Sequence, residues 1–106
     1  MSAILVFLAW EWINIAIEFA ATAWVRLPRW FLAVIGVNLA THPVFTFLLG
    51  LFGCSTAFVL SCEAVIVCVE AFLLMAIYGF DKWRRLFAVS LIMNGASYLT
   101  GVFIAL

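Results

Sequence analysis

The chain has 106 residues, of which 70% are hydrophobic and only 9% are charged. Soluble domains contain roughly 45–50% apolar and about 25% charged residues, so this composition excludes a water-soluble globular fold and predicts one integral membrane domain over residues 1–106. The formal net charge is zero, with five basic and five acidic residues, which gives no basic surface for binding nucleic acid. The lipid bilayer is therefore the first partner that the sequence predicts.

Apolar stretches long enough to cross a bilayer, about 20 residues each, predict an all-α fold of four transmembrane helices. In chain order they cover approximately residues 3–25, 30–50, 57–80 and 85–106. Residues 26–29 separate the first two helices, and Pro28 suits the start of the second helix. An uncharged turn follows the second helix, and residues 81–85 separate the last two. We expect two tandem helical hairpins, residues 1–50 and 57–106.

All five basic residues lie in two of the predicted connections, 26–29 and 81–85. Because cytoplasmic loops are enriched in Lys and Arg, we expect both connections to be cytoplasmic and both termini to be extracytoplasmic. Trp24, Trp30 and Trp83 lie beside these connections and are expected to form an aromatic belt at the membrane interface.

The two hairpins resemble each other in sequence. Residues 11–18 read EWINIAIE and residues 63–70 read EAVIVCVE, whereas residues 29–42 read RWFLAVIGVNLATH and residues 85–98 read RLFAVSLIMNGASY. The first pair matches at an offset of 52 residues and the second at 56, a difference of about one helical turn. We expect a parallel internal repeat, because each half crosses the membrane twice.

This repeat places the polar residues in two predicted layers. Residues seven apart share one face of a helix, so the paired glutamates of each first helix form an inward stripe. Counted from the basic connections, the inner layer contains Glu18, Asn38, Glu70 and Asn94. The outer layer, one to two turns further away, contains Glu11, Glu63, Thr41, His42, Ser97 and Tyr98.

Buried carboxylates without a basic partner need an explanation. An acidic residue at mid-helix costs about 2.5–3.5 kcal/mol on insertion scales, and every Lys and Arg lies in a connection. The glutamates must be protonated, share protons, bond to amide and hydroxyl groups, or bind a cation. We expect Glu18 and Glu70 to be central, oriented by Asn38 and Asn94. The outer groups of this predicted ion or proton site are Glu11, Glu63, Thr41 and Ser97.

A divalent metal ion is a candidate cofactor of this site, because oxygen-rich sites suit hard cations and glutamates from several helices can hold them. The candidate metal ligands are Glu18, Glu70, Glu11, Glu63 and His42. Such a site would be asymmetric, because His42 corresponds to Tyr98 in the repeat. The alternative is that neutral glutamates only join the helices. Pro43 frees the Leu39 carbonyl, which makes either an ordinary kink or part of an ion site.

The predicted function is therefore cation handling in the membrane, of a proton or a metal ion, by a transporter, channel or proton-conducting subunit. The alternative is a non-catalytic accessory subunit whose glutamates meet polar groups of a larger membrane complex. A membrane enzyme with a carboxylate-bound metal is a third class, although no phosphate loop, catalytic triad or Cys-x-x-Cys motif occurs. We expect a homo-oligomer or other membrane subunits as partners. Cys54, Cys62 and Cys68 form no disulfide pattern, and Cys54 is expected in an exposed turn.

Overall fold

The computed structural model describes residues 3–53 and 55–105, and the side chains of residues 5, 6, 8–53 and 55–102. These residues form four helices: α1 Ala3–Thr22, α2 Trp30–Phe52, α3 Thr56–Tyr78 and α4 Trp83–Ala105. Short 3₁₀ turns at Ala23–Val25 and Phe80–Lys82 follow α1 and precede α4. The expected all-helical architecture with four helices is confirmed, and the expected thiol at Cys54 lies outside the described residues.

Local sequence explains where α2 and α3 end. Gly53 and Gly79 follow these two helices with φ of +88° and +118°, a region that glycine adopts without steric conflict. Ser55 precedes α3, and its hydroxyl accepts a hydrogen bond from the backbone N–H of Phe58 at 3.3 Å, as an N-cap does. The second helix continues through Pro43 without interruption.

The helices form a four-membered ring in which each packs on the next and α4 packs on α1. The α1–α2 and α3–α4 connections meet at one end of the bundle, where the Tyr78 hydroxyl donates to the Pro28 carbonyl at 2.6 Å. The Arg85 guanidinium donates to the Val25 carbonyl at the same place. We call this the basic end, defined by the exposed residues Arg26, Arg29, Lys82, Arg84 and Arg85.

The bundle buries polar side chains beside its apolar core and exposes many large apolar side chains. Large apolar side chains face outward, among them Leu32, Phe47 and Phe52, which are 63%, 65% and 67% exposed. The buried polar side chains are Glu11, Glu18, Thr22, Asn38, Thr41, His42, Glu70, Ser90 and Asn94. By length and composition, α2 and α3 are each apolar enough to cross a membrane.

Next to the basic end lies an apolar cluster that we call the apolar plug. Its residues are Val25, Trp30, Ala33, Val34, Val37, Leu74, Leu86, Val89 and Met93, and Ile15 joins it from α1. Trp30 is only 5% exposed, and its indole N–H donates to the Thr22 hydroxyl at 3.0 Å. Trp30, which was expected in the interfacial belt with Trp24 and Trp83, instead packs inside the bundle beside the basic end. Trp24 and Trp83 are exposed as expected.

Candidate functional site

The buried polar side chains meet in one cluster at the level where the apolar plug ends. All four helices contribute, with Glu18 from α1, Asn38 and His42 from α2, Glu70 from α3 and Asn94 from α4. Glu18, Asn38 and Glu70 are completely buried, and Asn94 is 2% exposed. The structure therefore brings together the four residues that were predicted to form the inner layer.

Each hairpin joins its glutamate to its asparagine in the same way. Asn38 Nδ2 donates to Glu18 Oε1 at 3.5 Å, and Asn94 Nδ2 donates to Glu70 Oε1 at 2.9 Å. Each amide also donates to the carbonyl four residues earlier, that of Val34 at 2.8 Å and that of Ser90 at 2.9 Å. Both hydrogens of the Asn94 amide are thus used and hold one oxygen of Glu70, whereas the longer Asn38 contact with Glu18 is weaker.

His42 lies between the carboxylates. Its Nε2 is 3.8 Å from Glu18 Oε2 and 4.0 Å from Glu70 Oε2, and its Nδ1 is 4.0 Å from Glu11 Oε2. These separations exceed the roughly 2.7–3.2 Å of a hydrogen bond, so the ring faces three carboxylates without bonding directly to any of them. Thr41 lies beside it, with its hydroxyl 2.5 Å from Glu70 Oε2.

Several buried atoms of the cluster have no hydrogen-bond partner among the described residues. They are Glu11 Oε1, Glu18 Oε2, Asn38 Oδ1, His42 Nε2 and Asn94 Oδ1. Ser97 lies near the Glu18 carboxylate, but its single hydroxyl hydrogen goes to Asn14 Oδ1 at 3.1 Å. Most buried polar atoms in proteins are paired, so this concentration of unpaired polar atoms singles out the cluster as the candidate functional site.

A cavity of about 670 Å³ extends from this cluster away from the basic end. Glu11 and His42 line it at the cluster, and Thr56 and Gly101 line it near the α2–α3 turn and the end of α4. On the other side of the cluster lies the apolar plug. The polar cluster is therefore reached by a cavity from one end of the bundle and closed by packed apolar side chains at the other.

Two expected outer-layer residues belong to the inner cluster instead. Thr41 contacts Glu70 and His42 faces both central carboxylates, because a helical side chain leans toward the N-terminus of its own helix. That direction carries the α2 side chains toward the basic end, whereas glutamates on the antiparallel α1 and α3 lean the opposite way to meet them.

Glu63 lies outside the cluster. Glu63 is half-buried and lines the cavity together with Ser97, Tyr98 and Asn14, and it is not among the residues that approach His42. Sequence reasoning missed Ser90, whose hydroxyl donates to the Val67 carbonyl at 2.8 Å and joins α4 to α3. Its spacing of four residues before Asn94, on the same helical face, could have identified it.

Glu18, His42 and Glu70 each contribute one potential ligand atom, and these three atoms lie within 4.8 Å of one another, a grouping that can hold a metal ion. Two carboxylates and an imidazole supply oxygen and nitrogen ligands, and no basic side chain among the described residues reaches them, because every Lys and Arg is exposed at the basic end.

No protein family model, no curated protein and no solved structure matches this chain.

Proposed function

We propose that this chain is a four-span membrane protein that binds a cation in its buried polar cluster and exchanges it with one side of the membrane. The observation that carries the proposal is the set of unpaired acceptors, Glu18 Oε2 and His42 Nε2 above all, facing one another inside a bundle whose outer surface is apolar. Each further step rests on a separate feature.

Membrane insertion is supported by the exposed apolar side chains and the buried glutamates. A bilayer solvates exposed leucine and phenylalanine side chains and offers nothing to a carboxylate, so polar groups turn toward the bundle interior. The bundle measures 40 × 27 × 23 Å, and its long axis suffices for the roughly 30 Å hydrocarbon core. The connections that carry the exposed charges meet at one end, as a multi-pass topology requires.

Orientation follows from the basic end. Five Lys and Arg residues gather there, and the positive-inside preference assigns that end to the cytoplasm. Both termini and the cavity then face the opposite side. The cation would enter through the cavity past Glu11 and reach His42, with the apolar plug closing the route to the cytoplasm.

An internal parallel repeat is part of this proposal. The matching contacts Asn38–Glu18 and Asn94–Glu70, each with its second bond to the carbonyl four residues earlier, support two hairpins of common design. A site between such repeats, closed at one end, suits a transporter whose repeats rearrange to open the other end. It suits a continuously open channel less well, because the plug residues Val34, Leu74 and Met93 are fully buried.

The alternative function is an accessory subunit, whose glutamates would pair with polar groups of another protein. Glu11, Glu18 and Glu70 are 4%, 0% and 0% exposed within the isolated chain. Side chains that are already enclosed by their own bundle offer little surface to a partner helix, which favours cation handling.

Flux through reconstituted protein tests the proposal. The full chain is placed in liposomes, and uptake is followed with dyes for protons and for divalent metal ions. Glu18→Gln and Glu70→Gln should each reduce flux by about tenfold or more, because each removes a charge that a buried cation requires. Asp81→Asn, the same chemical change at an exposed position of the basic end, is the matched control and should retain flux.

Unchanged flux in both glutamate variants, with helix content and elution volume as in wild type, would refute the assignment. Loss of co-purifying membrane proteins in these variants, with no flux in wild type, would establish the accessory-subunit alternative instead.

A further inference from the structure

Resting on the proposed cation function, we infer that the cation is a divalent transition-metal ion of the Zn²⁺ or Fe²⁺ class, bound by Glu18 Oε2, His42 Nε2 and Glu70 Oε2. A proton or an alkali ion would differ from such a metal ion in the ligand spacing, the charge and the ligand atoms that it requires. The geometry, the charge and the ligand chemistry each point to the metal.

The separations between the three atoms fit an ion placed among them. Two ligand atoms that each lie about 2.1 Å from a tetrahedral ion are separated by roughly 3.4 Å. The observed distances from His42 Nε2 are 3.8 and 4.0 Å, and all three ligand atoms lie within 4.8 Å of one another, so the side chains need only move closer together around the ion. The same distances are too long for hydrogen bonds, which leaves the two buried atoms Glu18 Oε2 and His42 Nε2 without partners.

Charge balance selects a divalent ion. When both are ionised, Glu18 and Glu70 carry two negative charges at 0% exposure, and no Lys or Arg among the described residues lies near them. Isolated charges in a low-dielectric interior are strongly unfavourable. With Glu11 protonated, one divalent cation balances the two ionised carboxylates beside a neutral imidazole, whereas a monovalent ion leaves a net negative charge.

The imidazole decides the chemical class. Magnesium and calcium prefer sites made wholly of oxygen, whereas imidazole nitrogen suits zinc, iron, cobalt, nickel and copper. Glu11 stands behind the ring, with its carboxylate 4.0 Å from Nδ1. A carboxylate beside the second ring nitrogen is typical of metal-binding histidines, and closer approach of Glu11 would let it accept the Nδ1 hydrogen and leave the Nε2 lone pair for the metal. In the matching position of the second hairpin, Tyr98 supplies no such nitrogen.

Three protein ligands leave a coordination position open, as in zinc sites that exchange a bound water. His42 lines the cavity, so this position can be reached from outside the cluster. Asn38 and Asn94 hold the distal carboxylate oxygens, which keeps Oε2 of Glu18 available. The site thus combines ligand selectivity with access from one side, as uptake or release requires.

Metal binding by the purified full-length protein in detergent tests this inference, with Zn²⁺, Co²⁺, Mg²⁺ and Na⁺ as probes. We expect one Zn²⁺ or Co²⁺ per chain, with visible absorption bands of Co²⁺ that report nitrogen and oxygen ligands, and no competition by a thousandfold excess of Mg²⁺ or Na⁺. His42→Gln, Glu18→Gln and Glu70→Gln should each weaken binding by about 100-fold, and Asn94→Leu by about 10-fold to 100-fold. Asp81→Asn should bind as wild type does.

A measurement on the unmodified protein guards against variants that fail to fold. Zn²⁺ at 100 times its dissociation constant should raise the free energy of unfolding and therefore the melting temperature, whereas Mg²⁺ should not. Absence of stoichiometric binding, or equal binding by His42→Gln, would overturn the metal assignment. Proton flux that depends on Glu18 would then leave the proposed function standing. Metal binding without any flux would support the metal site and refute transport.

Discussion

Leu39→Asp tests the apolar outer surface on which the proposed membrane insertion rests. Leu39 lies near the middle of α2 and is 57% exposed, next to the fully buried Asn38. If the outer surface faces lipid, the new carboxylate lies in hydrocarbon. Insertion scales give about −0.3 to −0.6 kcal/mol for leucine and about +2.5 to +3.5 for aspartate at the centre of a helix.

The difference, about 3–4 kcal/mol, corresponds to a decrease of roughly 150-fold to 900-fold in the insertion equilibrium. It is measured by translating α2 into microsomes between two glycosylation acceptor sites, so that the number of sugars reports insertion. In parallel, the full chain carrying the substitution is fractionated into membrane and soluble material. Leu39→Ala is the control, because it shortens the side chain without adding charge.

The opposite result has a clear meaning. On the surface of a water-soluble bundle, aspartate at an exposed position changes the free energy of unfolding by about 0.5 kcal/mol or less and improves solubility. A Leu39→Asp chain that folds and remains in solution without detergent would refute the membrane assignment and, with it, the orientation derived from the basic end.

Other predictions concern packing, access and reactivity. Trp30→Phe should lower the free energy of unfolding in detergent by about 1 kcal/mol, because it removes the buried bond to Thr22, whereas Trp24→Phe, at 56% exposure, should have a smaller effect on thermal unfolding. Leu74→Ala should lower the free energy of chemical unfolding by about 1–2 kcal/mol, less than the 2–5 kcal/mol typical of soluble cores. In a lipid-embedded bundle the free energy of transferring the leucine side chain out of water does not contribute. A loss above 4 kcal/mol would contradict this. Glu63→Gln should weaken the apparent affinity for the proposed cation by less than Glu18→Gln does, because Glu63 lines the cavity and is not one of the three residues whose ligand atoms come together. Cys68, exposed on α3, should resist charged maleimides in intact membranes and react in a denaturing detergent, and rapid labelling before denaturation would place it in water.

The helix bounds, the connections that carry the basic residues and the polar face of each helix could be predicted from sequence, because they depend on local rules. Helix length follows from apolar runs and from turn residues such as Gly53 and Gly79, and the observed helices begin and end close to the predicted bounds. The inner layer was also predictable, because a spacing of seven residues places Glu11 and Glu18 on one face wherever the helix lies. Asn38 and Asn94 could then be placed in the same layer, because they lie at a similar distance along the sequence from the basic connections.

What the sequence by itself determined is the set of helices, their polar faces and the absence of a basic partner for the glutamates. Only the tertiary structure decided that Trp30 packs inside, that Thr41 and His42 reach the central carboxylates, and that Glu63 remains in the cavity. These outcomes depend on how far each helix is rotated and shifted against its neighbours, which is a property of packing between segments distant in the chain. Periodicity fixes the face of a helix, whereas the partner that this face meets is set by the whole bundle.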